Sequence, residues 1–587
     1  MQTKLILLLV CLLTSSAFSQ ATPTSWDVIT AGAKPDGATD NTAIFQRLLD
    51  EAGKAGGGVV TVPAGSFRIA GNLNIPANVT LQGIYKVPPT VKSPRTAPLT
   101  GSVLEAMAGR GSAEGLPFIN LAGDNAAIAG LIITYPEWKQ TDVPPVPYPP
   151  CVDAVGMTNV GVSECLLLNP YVGIRLINAP RHIVRNVTGY PSSRGIYVDY
   201  CLDIGHIENV HFWPFGIAFN PDDPYCKWVN LNGIAFDFAR TDWQYVLNTF
   251  CFGYGIGYKF SESKEGSANG NFNGLGADSC QRAVVVEQAQ PAGLLITNGE
   301  FVGRWGGTDS VCLEIAPQVM GKVSLVNCAF WGPIDRCVWM RSTAGQFTAS
   351  ACNFVNWDIG NLGSPAIQLD AGKAIVQGCT FVDGSTNVKI GGKVVSAILN
   401  GNQASGGFRI ENQAGRRTQS ALNEEPPVIE WTNAALAHYR IHVGQPGDRS
   451  YLLGAWQISE LTARWTGVSA RLRLPVVPGK PCTITIKGNF LPQTISPAAG
   501  LYFEATQMAP LTAGDKLTAA LPATTQDHIE LELRSHGWVP QQLDPKSSDL
   551  RTLGVQVSSV EVRAADAGEE IFNANTGEWL ANTSLAK

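Results

Sequence analysis

A short cassette recurs five times between Leu294 and Gln403, and its spacing constrains the fold more than any other feature of the chain. Each copy has alternating apolar residues, then an Asn or a small residue, a small residue or Cys, one variable residue and usually Phe. Repeats 22 to 29 residues apart are typical of a coil that turns once per repeat and varies its loops. The copies are LLITNGEF ending at Phe301, VSLVNCAF at Phe330, FTASACNF at Phe354, AIVQGCTF at Phe381 and SAILNGNQ at Gln403.

Strands this short cannot bury their apolar side chains alone, but stacked turns place each inward residue on its equivalents at the strand spacing of about 4.8 Å. We therefore predict an all-β parallel β-helix, right-handed from the general bias of parallel crossovers. One predicted inward column holds Cys328, Cys352 and Cys379, and the next holds the Phe residues. An Asn ladder would satisfy the backbone groups of the turns. Its predicted column is Asn298, Asn327 and Asn400, interrupted by Ala351 and Gly378, and earlier turns are expected near Gly130, Glu164, Asn186, Asn209, Asn232, Asn248 and Asn273.

The first 19 residues read as a signal peptide, with Lys4 before an apolar run and a small-x-small cleavage site at Ala17-Phe18-Ser19. The apolar run is too short to span a membrane, and no later run approaches the length of a transmembrane helix. We expect a secreted or periplasmic protein.

The composition limits the classes of molecule that the protein can bind. The net charge is −6 and no basic run occurs, which argues against nucleic acid. Thirteen cysteines in 587 residues do not make a disulfide-dense scaffold. The cassette cysteines are compatible with a bridge or with a ladder of buried thiols, and we favour the ladder. No His/Cys cluster indicates a metal site.

The segment after the leader predicts a strand, a turn at Pro35-Asp36-Gly37 and an amphipathic helix capped by Thr39 or Asp40. A helix laid over the open end of a solenoid protects its edge from other strands. The series DVITAGAKPDGATDNTAIFQRLLDEA, GGGVVTVPAGSFRI and NVTLQG resembles the N-terminal entry of pectate-lyase-superfamily β-helix proteins, including rhamnogalacturonase-like and epimerase-like enzymes. This resemblance implies a β-helix for residues 20–413 and says little about the reaction.

Two other regions stand out. A Pro-rich insertion between Tyr135 and Cys151 carries Trp138 and Tyr148, which either wall a sugar cleft or stiffen a surface loop. After a polar linker at 414–426, short alternating runs over 427–587 predict a C-terminal β-sandwich. That segment is similar to sandwich domains of glycan-acting proteins, and its Trp side chains are candidates either for sugar stacking or for core packing.

The richest acidic region spans residues 215 to 280 and includes Asp222, Asp223 and Asp278. Glycosidases need two carboxyls across the scissile bond, and neighbouring or alternate rungs of a β-helix supply either of the required separations. Asp beside Pro is also a common turn former, so the 222/223 pair has an ordinary explanation as well.

Further candidates lie on the neighbouring rungs. Arg240 and Asp242 alternate on one face of a predicted strand, as a catalytic or a structural ion pair, with Trp243 on the other face. The Glu300 carboxylate occupies an outward cassette position close to two candidate substrate-binding residues, Arg304 and Trp305.

Polygalacturonases of the superfamily carry an Asp pair, then G-H-G, then R-I-K. Here Gly205-His206-Ile207 precedes Asp222-Asp223, and Arg409-Ile410-Glu411 replaces R-I-K, so that active site is not transferred. Superfamily pectate lyases use calcium-binding carboxylates with an Arg base, which the acidic cluster with Arg240 permits.

These patterns predict an exported enzyme that cleaves a polysaccharide, for example a pectin-like one, by hydrolysis with a carboxylate pair and without a cofactor. The alternatives are a lyase, for which calcium would be the expected ion, and a non-catalytic glycan-binding or structural protein. The oligomeric state is left open.

Overall fold

The computed structural model describes residues 25–87, 97–304, 309–360, 362–382, 386–425, 428–460, 462–544, 547, 549 and 551–580. The predicted signal peptide lies outside these residues. Over the described residues the chain forms a parallel assembly of 36 strands followed by a mostly antiparallel one of 11 strands. No helix in this part of the chain has both the length and the apolar character needed to cross a membrane.

The parallel strands form three stacks, which we call sheets A, B and C in the order in which each coil visits them. Sheet A consists of Ser25–Asp27, Gly58–Thr61, Val79–Gln82, Ala127–Ala129, Gly161–Leu168, Ile183–Gly189, His206–Glu208, Gln244–Phe252, Gly270–Cys280, Leu294–Thr297, Lys322–Val326, Gln346–Ser350, Ile367–Gln377, Val388–Asn400 and Thr418–Ala421. Four of these strands continue past the turn into sheet B, namely Gly161–Leu168, Ile183–Gly189, Gln244–Phe252 and Gly270–Cys280.

Sheet B adds Asp36–Asp40, Gly65–Ile69, Ser102–Ala106, Ile132–Thr134, His211–Phe212, Glu300–Gly303, Ala329–Trp331, Asn353–Val355, Thr380–Val382 and Gln403–Ala404. Sheet C consists of Leu73–Ile75, Ile119–Leu121, Val152–Val155, Val172–Ile177, Arg194–Asp199, Ile234–Phe238, Ile256–Phe260, Arg282–Val286, Val311–Ile315, Val338–Met340 and Ile410–Asn412, with the first parts of Ile367–Gln377 and Val388–Asn400. Each strand pairs in parallel with the equivalent strand of the next coil, so the predicted parallel β-helix is confirmed.

The predicted columns are present in the core. Phe301, Phe330, Phe354 and Phe381 stack with ring centroids 4.8 to 5.2 Å apart. Cys328, Cys352 and Cys379 follow the turn in three successive coils, and all twelve cysteines of the described residues are free and buried. The apolar residues of all three sheets merge into one continuous core.

A residue with a positive φ recurs in the turn between sheets A and B, but three of the positions predicted for this turn residue are wrong. Asn232 ends a helix, and the next turn after Asn209 is at Asn248. Asn273 and Asn400 are each one residue early, because Gly274 and Gly401 adopt the positive φ of 68° and 63°. Glycine takes this conformation at no steric cost, so the stacking of the coils decides which residue of an Asn-Gly pair turns.

Helix α1 (Thr42–Lys54) buries Phe45, Leu48, Leu49 and Ala52 against the first coils. Its role as an end cap stays a prediction.

Helix α2 (Pro224–Asn232) lies in a loop between sheets B and C. The last sheet A strand, Thr418–Ala421, falls within the segment predicted as a linker and pairs with Val388–Asn400.

The C-terminal strands are His438–His442, Leu452–Ser459, Arg464–Pro475, Cys482–Phe490, Gly500–Phe503, Thr506–Pro510, Gly514–Leu521, His528–Arg534, Gln556–Ala564, Phe572–Asn573 and Glu578–Trp579. They enclose a separate core, and short helices α3 (Asn433–Ala437) and α4 (Pro540–Leu543) accompany them. Their arrangement as a sandwich, and any sugar binding there, stay predictions. Trp456 is buried in this core.

Candidate functional site

Charged and aromatic side chains concentrate on the outward face of sheet C. Alternate residues of a strand point to opposite faces, so the middle outward position of each coil forms a column along the helix. This column holds Asp153, Arg175, Tyr197, Asp237, Lys259, Val285, Glu314, Trp339, Gln368 and Lys389. A parallel column two residues further along the strands contains Asp199, Ser261, Glu287, Arg341 and Asp370. We call this pair of columns the sheet C groove.

Asp237 lies in the first column of the sheet C groove and is only 1% exposed. The Ser261 hydroxyl donates a hydrogen bond to Oδ1 at 2.6 Å, and Arg194 Nε lies 3.5 Å from Oδ2 in an ion pair without a hydrogen bond. Within the described part of the chain Oδ2 accepts no hydrogen bond. Burial raises the pKa of the Asp237 carboxyl despite the opposing effects of Arg194, Ser261 and Lys259. A buried acid with a raised pKa and an oxygen free of hydrogen bonds is a candidate for proton transfer.

The neighbouring coil supplies a protonated phenol and a fully bonded carboxylate. The Tyr197 hydroxyl donates to Asp199 Oδ2 at 3.2 Å, while Asp199 Oδ1 accepts from Ser263 Oγ at 2.8 Å and from the Arg240 backbone N–H at 3.1 Å. Burial and the adjacent carboxylates raise the pKa of Tyr197, so this phenol keeps its proton. The Arg194 guanidinium covers the Tyr197 ring at 4.6 Å. Asp199 is therefore held for structure, and Asp237 is the acid left with bonding capacity.

Glu287 is the accessible carboxylate closest along the groove to Asp237. It lies two coils away, its side chain is about one-third exposed, and Lys259 Nζ, on the coil between, approaches Glu287 Oε1 at 2.9 Å. The proximity of Glu287 contributes to the raised pKa of Asp237. A buried carboxyl with a raised pKa and a lysine-paired carboxyl therefore share one face.

The far end of the sheet C groove is built around Trp339. Arg336 and Arg341 lie 4.8 and 4.7 Å from its ring, and the indole N–H donates to Asp370 Oδ2 at 2.8 Å. Glu314, on the preceding coil, accepts from both Arg282 and Arg341. This end presents a fixed aromatic ring among paired charges, which suits the binding of a sugar ring.

The predicted acids Asp222 and Asp223 lie at the loop between sheets B and C, where both make local contacts. Asp223 is the N-cap of α2 and accepts hydrogen bonds from the backbone N–H groups of Tyr225 and Cys226 at 3.0 and 3.1 Å. The Asp222 side chain is 85% exposed and pairs with Lys227 at 3.1 Å. Capping and turn formation account for this Asp pair without catalysis.

Two predicted substrate-binding rings pack within the protein. Trp138 donates its indole N–H to the Tyr225 hydroxyl at 3.1 Å and packs edge-on against that ring. Tyr148 is buried against Tyr135. The Pro-rich insertion is therefore fastened to α2, and both border the sheet C groove on the side of sheet B.

The Arg240–Asp242 pair borders the opposite side of the groove, where the chain turns from sheet C to sheet A. Asp242 accepts hydrogen bonds from Arg240, from Asn269 at 2.9 Å and from Gln290 at 2.9 Å. Burial by itself would raise the pKa of Asp242, but the bonds from Arg240 and Gln290 hold it below its ordinary value. These hydrogen bonds hold the Asp242 carboxylate in place, and Trp243 beside it is 62% exposed on the turn.

Asp278 and Glu300 lie on neighbouring coils on the outward face of sheet B, and Arg304 directly follows the strand that carries Glu300. Burial and the nearby Glu300 raise the pKa of Asp278, and burial lowers the pKa of Arg304. Glu300 accepts a hydrogen bond from the Trp331 indole at 3.3 Å. Trp305 lies outside the described residues. The predicted site residues are thus divided between sheet B and the two borders of sheet C, and their catalytic and binding roles stay predictions.

Sequence reasoning missed the centre of the sheet C groove. Asp237 lies within the acidic segment of residues 215 to 280, but no sequence pattern singles it out, and none points to Tyr197, Lys259 or Glu287. The usable signal was the outward position of each sheet C strand, but the loops before these strands range from a tight turn at Gly253–Gly255 to an insertion with a helix. Without regular spacing the strands cannot be aligned from the sequence. Among the described residues no three His, Cys, Asp or Glu side chains meet as a metal site would require.

Comparison with known proteins gives one family match. Residues 26–128 match the family described as rhamnogalacturonase A/epimerase, pectate lyase-like. Alginate lyase 7 of Azotobacter vinelandii is 52% identical over 40 residues, covering 7% of this chain and 5% of that protein. Mannuronan C5-epimerase AlgE3 of the same organism is 44% identical over 59 residues, or 9% and 3% of the two chains. The alignments thus span a small part of these relatives.

Solved structures with a similar course of the chain have low sequence identity. The A-module of mannuronan C-5 epimerase AlgE6 from Azotobacter vinelandii has a TM-score of 0.44 and 16% identity, over 69% of this chain and 100% of the module. A tailspike protein of E. coli bacteriophage HK620 has a TM-score of 0.44 and 9% identity, over 87% and 94%. The strand register described above establishes the fold by itself. The chain is thus a parallel β-helix protein whose N-terminal residues 26–128 match the pectate-lyase-like family.

Proposed function

We propose that this protein is an exported carbohydrate-active enzyme that cleaves glycosidic bonds of a polysaccharide in the sheet C groove. The observation that supports this most directly is Asp237, a buried carboxyl with a raised pKa and an oxygen free of hydrogen bonds, facing the same groove as Glu287. Acid and base roles in glycoside hydrolysis require two carboxyls whose pKa values differ. The names of the relatives support a polysaccharide as the substrate class.

In this proposal Asp237 is the general acid. Its raised pKa keeps the proton available for the leaving glycosidic oxygen, which approaches Oδ2 in place of the long Arg194 contact. Glu287, which pairs with Lys259, is the general base that takes a proton from the attacking water. Alternate coils are about 10 Å apart along the helix and the two columns about 7 Å apart across it, so the pair lies nearer to the carboxyl separation of about 6.5–9.5 Å in inverting enzymes than to the separation of about 5–5.5 Å in retaining ones. We therefore propose hydrolysis with inversion, on a polymer that lies along the groove towards Trp339.

Elimination is the second candidate, and a specific arrangement favours it. Arg194 and Lys259 flank Asp237 and would neutralise the carboxylate of a uronic acid unit, while Tyr197 keeps a proton for the leaving oxygen. The matched relatives named alginate lyase and mannuronan C5-epimerase favour a uronate polymer as well. A pectin-like polymer satisfies both candidates, and export through the N-terminal leader would bring the enzyme to it.

The decisive test compares Asp237→Asn, Glu287→Gln and Asp223→Ala on polygalacturonate, rhamnogalacturonan and alginate. The first two substitutions should reduce turnover about 100-fold or more, because each removes a proton-transfer group. The variant Asp223→Ala changes a carboxylate outside the groove and should therefore keep the turnover of the unaltered chain. The activity should fall as the pH rises through the raised pKa of Asp237.

The products separate the mechanisms. New reducing ends without the ultraviolet absorbance of unsaturated uronates indicate hydrolysis, and that absorbance indicates elimination. Turnover that survives both Asp237→Asn and Glu287→Gln would contradict the proposed site. Binding without turnover on every polymer would favour the non-catalytic alternative.

A further inference from the structure

A depression of about 620 Å³ lies on the outward face of sheet A, away from the sheet C groove. Its lining comes from five successive coils, between His206 and Val326. This size is within the range of about 300–1,000 Å³ that small-ligand sites occupy. We call it the sheet A depression, and none of its lining residues belongs to the proposed catalytic site.

The floor of the sheet A depression is apolar and accessible. Leu247, Leu295 and Val326 are 37%, 42% and 41% exposed, although they point outward from a sheet whose other face supplies the core. Single exposed aliphatic residues are ordinary, but three that line one concavity form a patch that water covers poorly. The patch therefore favours a ligand with an apolar face.

One end of the depression is a pair of stacked rings. His206 and Tyr245 lie on adjacent coils with centroids 5.4 Å apart and planes only 11° from parallel. His206 Nδ1 approaches Glu208 Oε1 at 3.5 Å without a hydrogen bond. Stacking holds both rings upright, so they form a rigid wall.

Polar groups around the apolar floor retain their bonding capacity. The Tyr245 hydroxyl, the Asn271 amide and the Ser324 hydroxyl make no hydrogen bond to any described residue, although all three line the depression. By contrast, Asn273 is joined to the Asn298 amide at 2.9 Å and to the Thr297 hydroxyl at 3.2 Å. Free donors and acceptors beside an apolar strip match the hydroxyl groups and the C–H face of a sugar.

From this lining we infer that the sheet A depression is a second, non-catalytic binding site for a neutral oligosaccharide. A neutral ligand fits because Glu208 and His206 are the charged or chargeable side chains of the lining, and they face each other. A second protein chain would need about 800 Å² of surface per partner, whereas the depression offers a narrow floor edged by unpaired polar groups. The inference does not depend on catalysis in the sheet C groove.

Isothermal titration of the full chain with cellohexaose, xylohexaose and mannohexaose tests the site. At least one hexasaccharide should bind, and Tyr245→Ala should weaken it roughly tenfold by removing the ring wall. Asn271→Ala should weaken it as well. The matched control is Ile398→Ala, which changes an equally exposed aliphatic residue of the same face outside the depression and should leave the affinity unchanged.

Titrations of Asp237→Asn and Trp339→Ala distinguish the two faces. Both should bind the hexasaccharide as the unaltered chain does. The inference is overturned if no hexasaccharide binds, or if affinity is lost in Trp339→Ala and kept in Tyr245→Ala. Light scattering that shows a dimer abolished by Tyr245→Ala would instead assign the face to a second copy of the chain.

Discussion

Asp223 and Asp237 carry the same side chain, and their surroundings give them different tasks. The Asp223 carboxylate accepts hydrogen bonds from two backbone N–H groups at the start of α2. Asp237 is surrounded by apolar and charged groups that leave one of its oxygens without a hydrogen bond from a described residue. A carboxylate with saturated bonding stabilises structure, and one with a raised pKa is available for proton transfer.

The capping role makes a stability prediction. Asp223→Ala should lower the free energy of unfolding by about 1 kcal/mol, because the first turn of α2 loses its side-chain acceptor. Denaturant unfolding measures this loss, and Asp223→Asn, which still accepts, should recover most of it. A large loss of turnover at unchanged stability would restore Asp223 as a catalytic candidate.

His182 makes a prediction about pH. The ring is buried, and burial lowers its pKa from 6.5 to about 4. Between these values the unfolded chain binds a proton that the folded chain does not, so stability falls as the pH falls from about 6.5 towards 4. The loss should approach about 3 kcal/mol. Denaturant unfolding of the unaltered chain and of His182→Gln at neutral pH and at pH near 4.5 checks this, and equal slopes with pH would contradict it.

At the scale of elements, the phenylalanine column joins successive coils. Phe354 packs between Phe330 and Phe381, with centroids 5.1 and 4.8 Å away. Each coil therefore buries its ring against both neighbours, and removing one ring opens a cavity within the stack.

Phe354→Ala should lower the free energy of unfolding by about 3–5 kcal/mol, the usual cost of truncating a buried ring. Its neighbour Asn353 points outward and accepts a hydrogen bond from the Thr380 hydroxyl, so Asn353→Ala should lower the free energy of unfolding by no more than about 1 kcal/mol. Denaturant unfolding of both variants provides the comparison. Equal effects would mean that the column does not support the stack.

The same columns show which features of an element are readable from sequence. The cassette predicted the Cys and Phe columns correctly because these follow the turn at a fixed distance. It misplaced the turn at Asn400, since Asn and Gly both tolerate a positive φ and the register with Gly378 selects Gly401. The local sequence indicates which residues can form the turn. The stacking on the previous coil then determines which of two neighbouring residues adopts the positive φ.

At the scale of the whole molecule, the described residues form two separate main cores, one inside the parallel coils and one inside the antiparallel strands. No residue belongs to both. Each core buries its own apolar surface and so has its own source of stability.

We therefore expect two thermal transitions. Ile484→Ala removes a fully buried side chain of the C-terminal core and should lower one transition by several degrees while leaving the other in place. Differential scanning calorimetry measures both transitions. A single transition that shifts as a whole would show that the two parts unfold as one unit.

The sequence by itself determined the coil. Its cassettes, turn residues and N-terminal entry are local features, and a repeat of outward and inward positions can stack in few ways. Only the tertiary structure decided which charged residues share a face. Asp237, Lys259 and Glu287 come together because strands separated by loops of unequal length are brought into register by backbone hydrogen bonds between coils, and unequal loops hide that register in the linear chain.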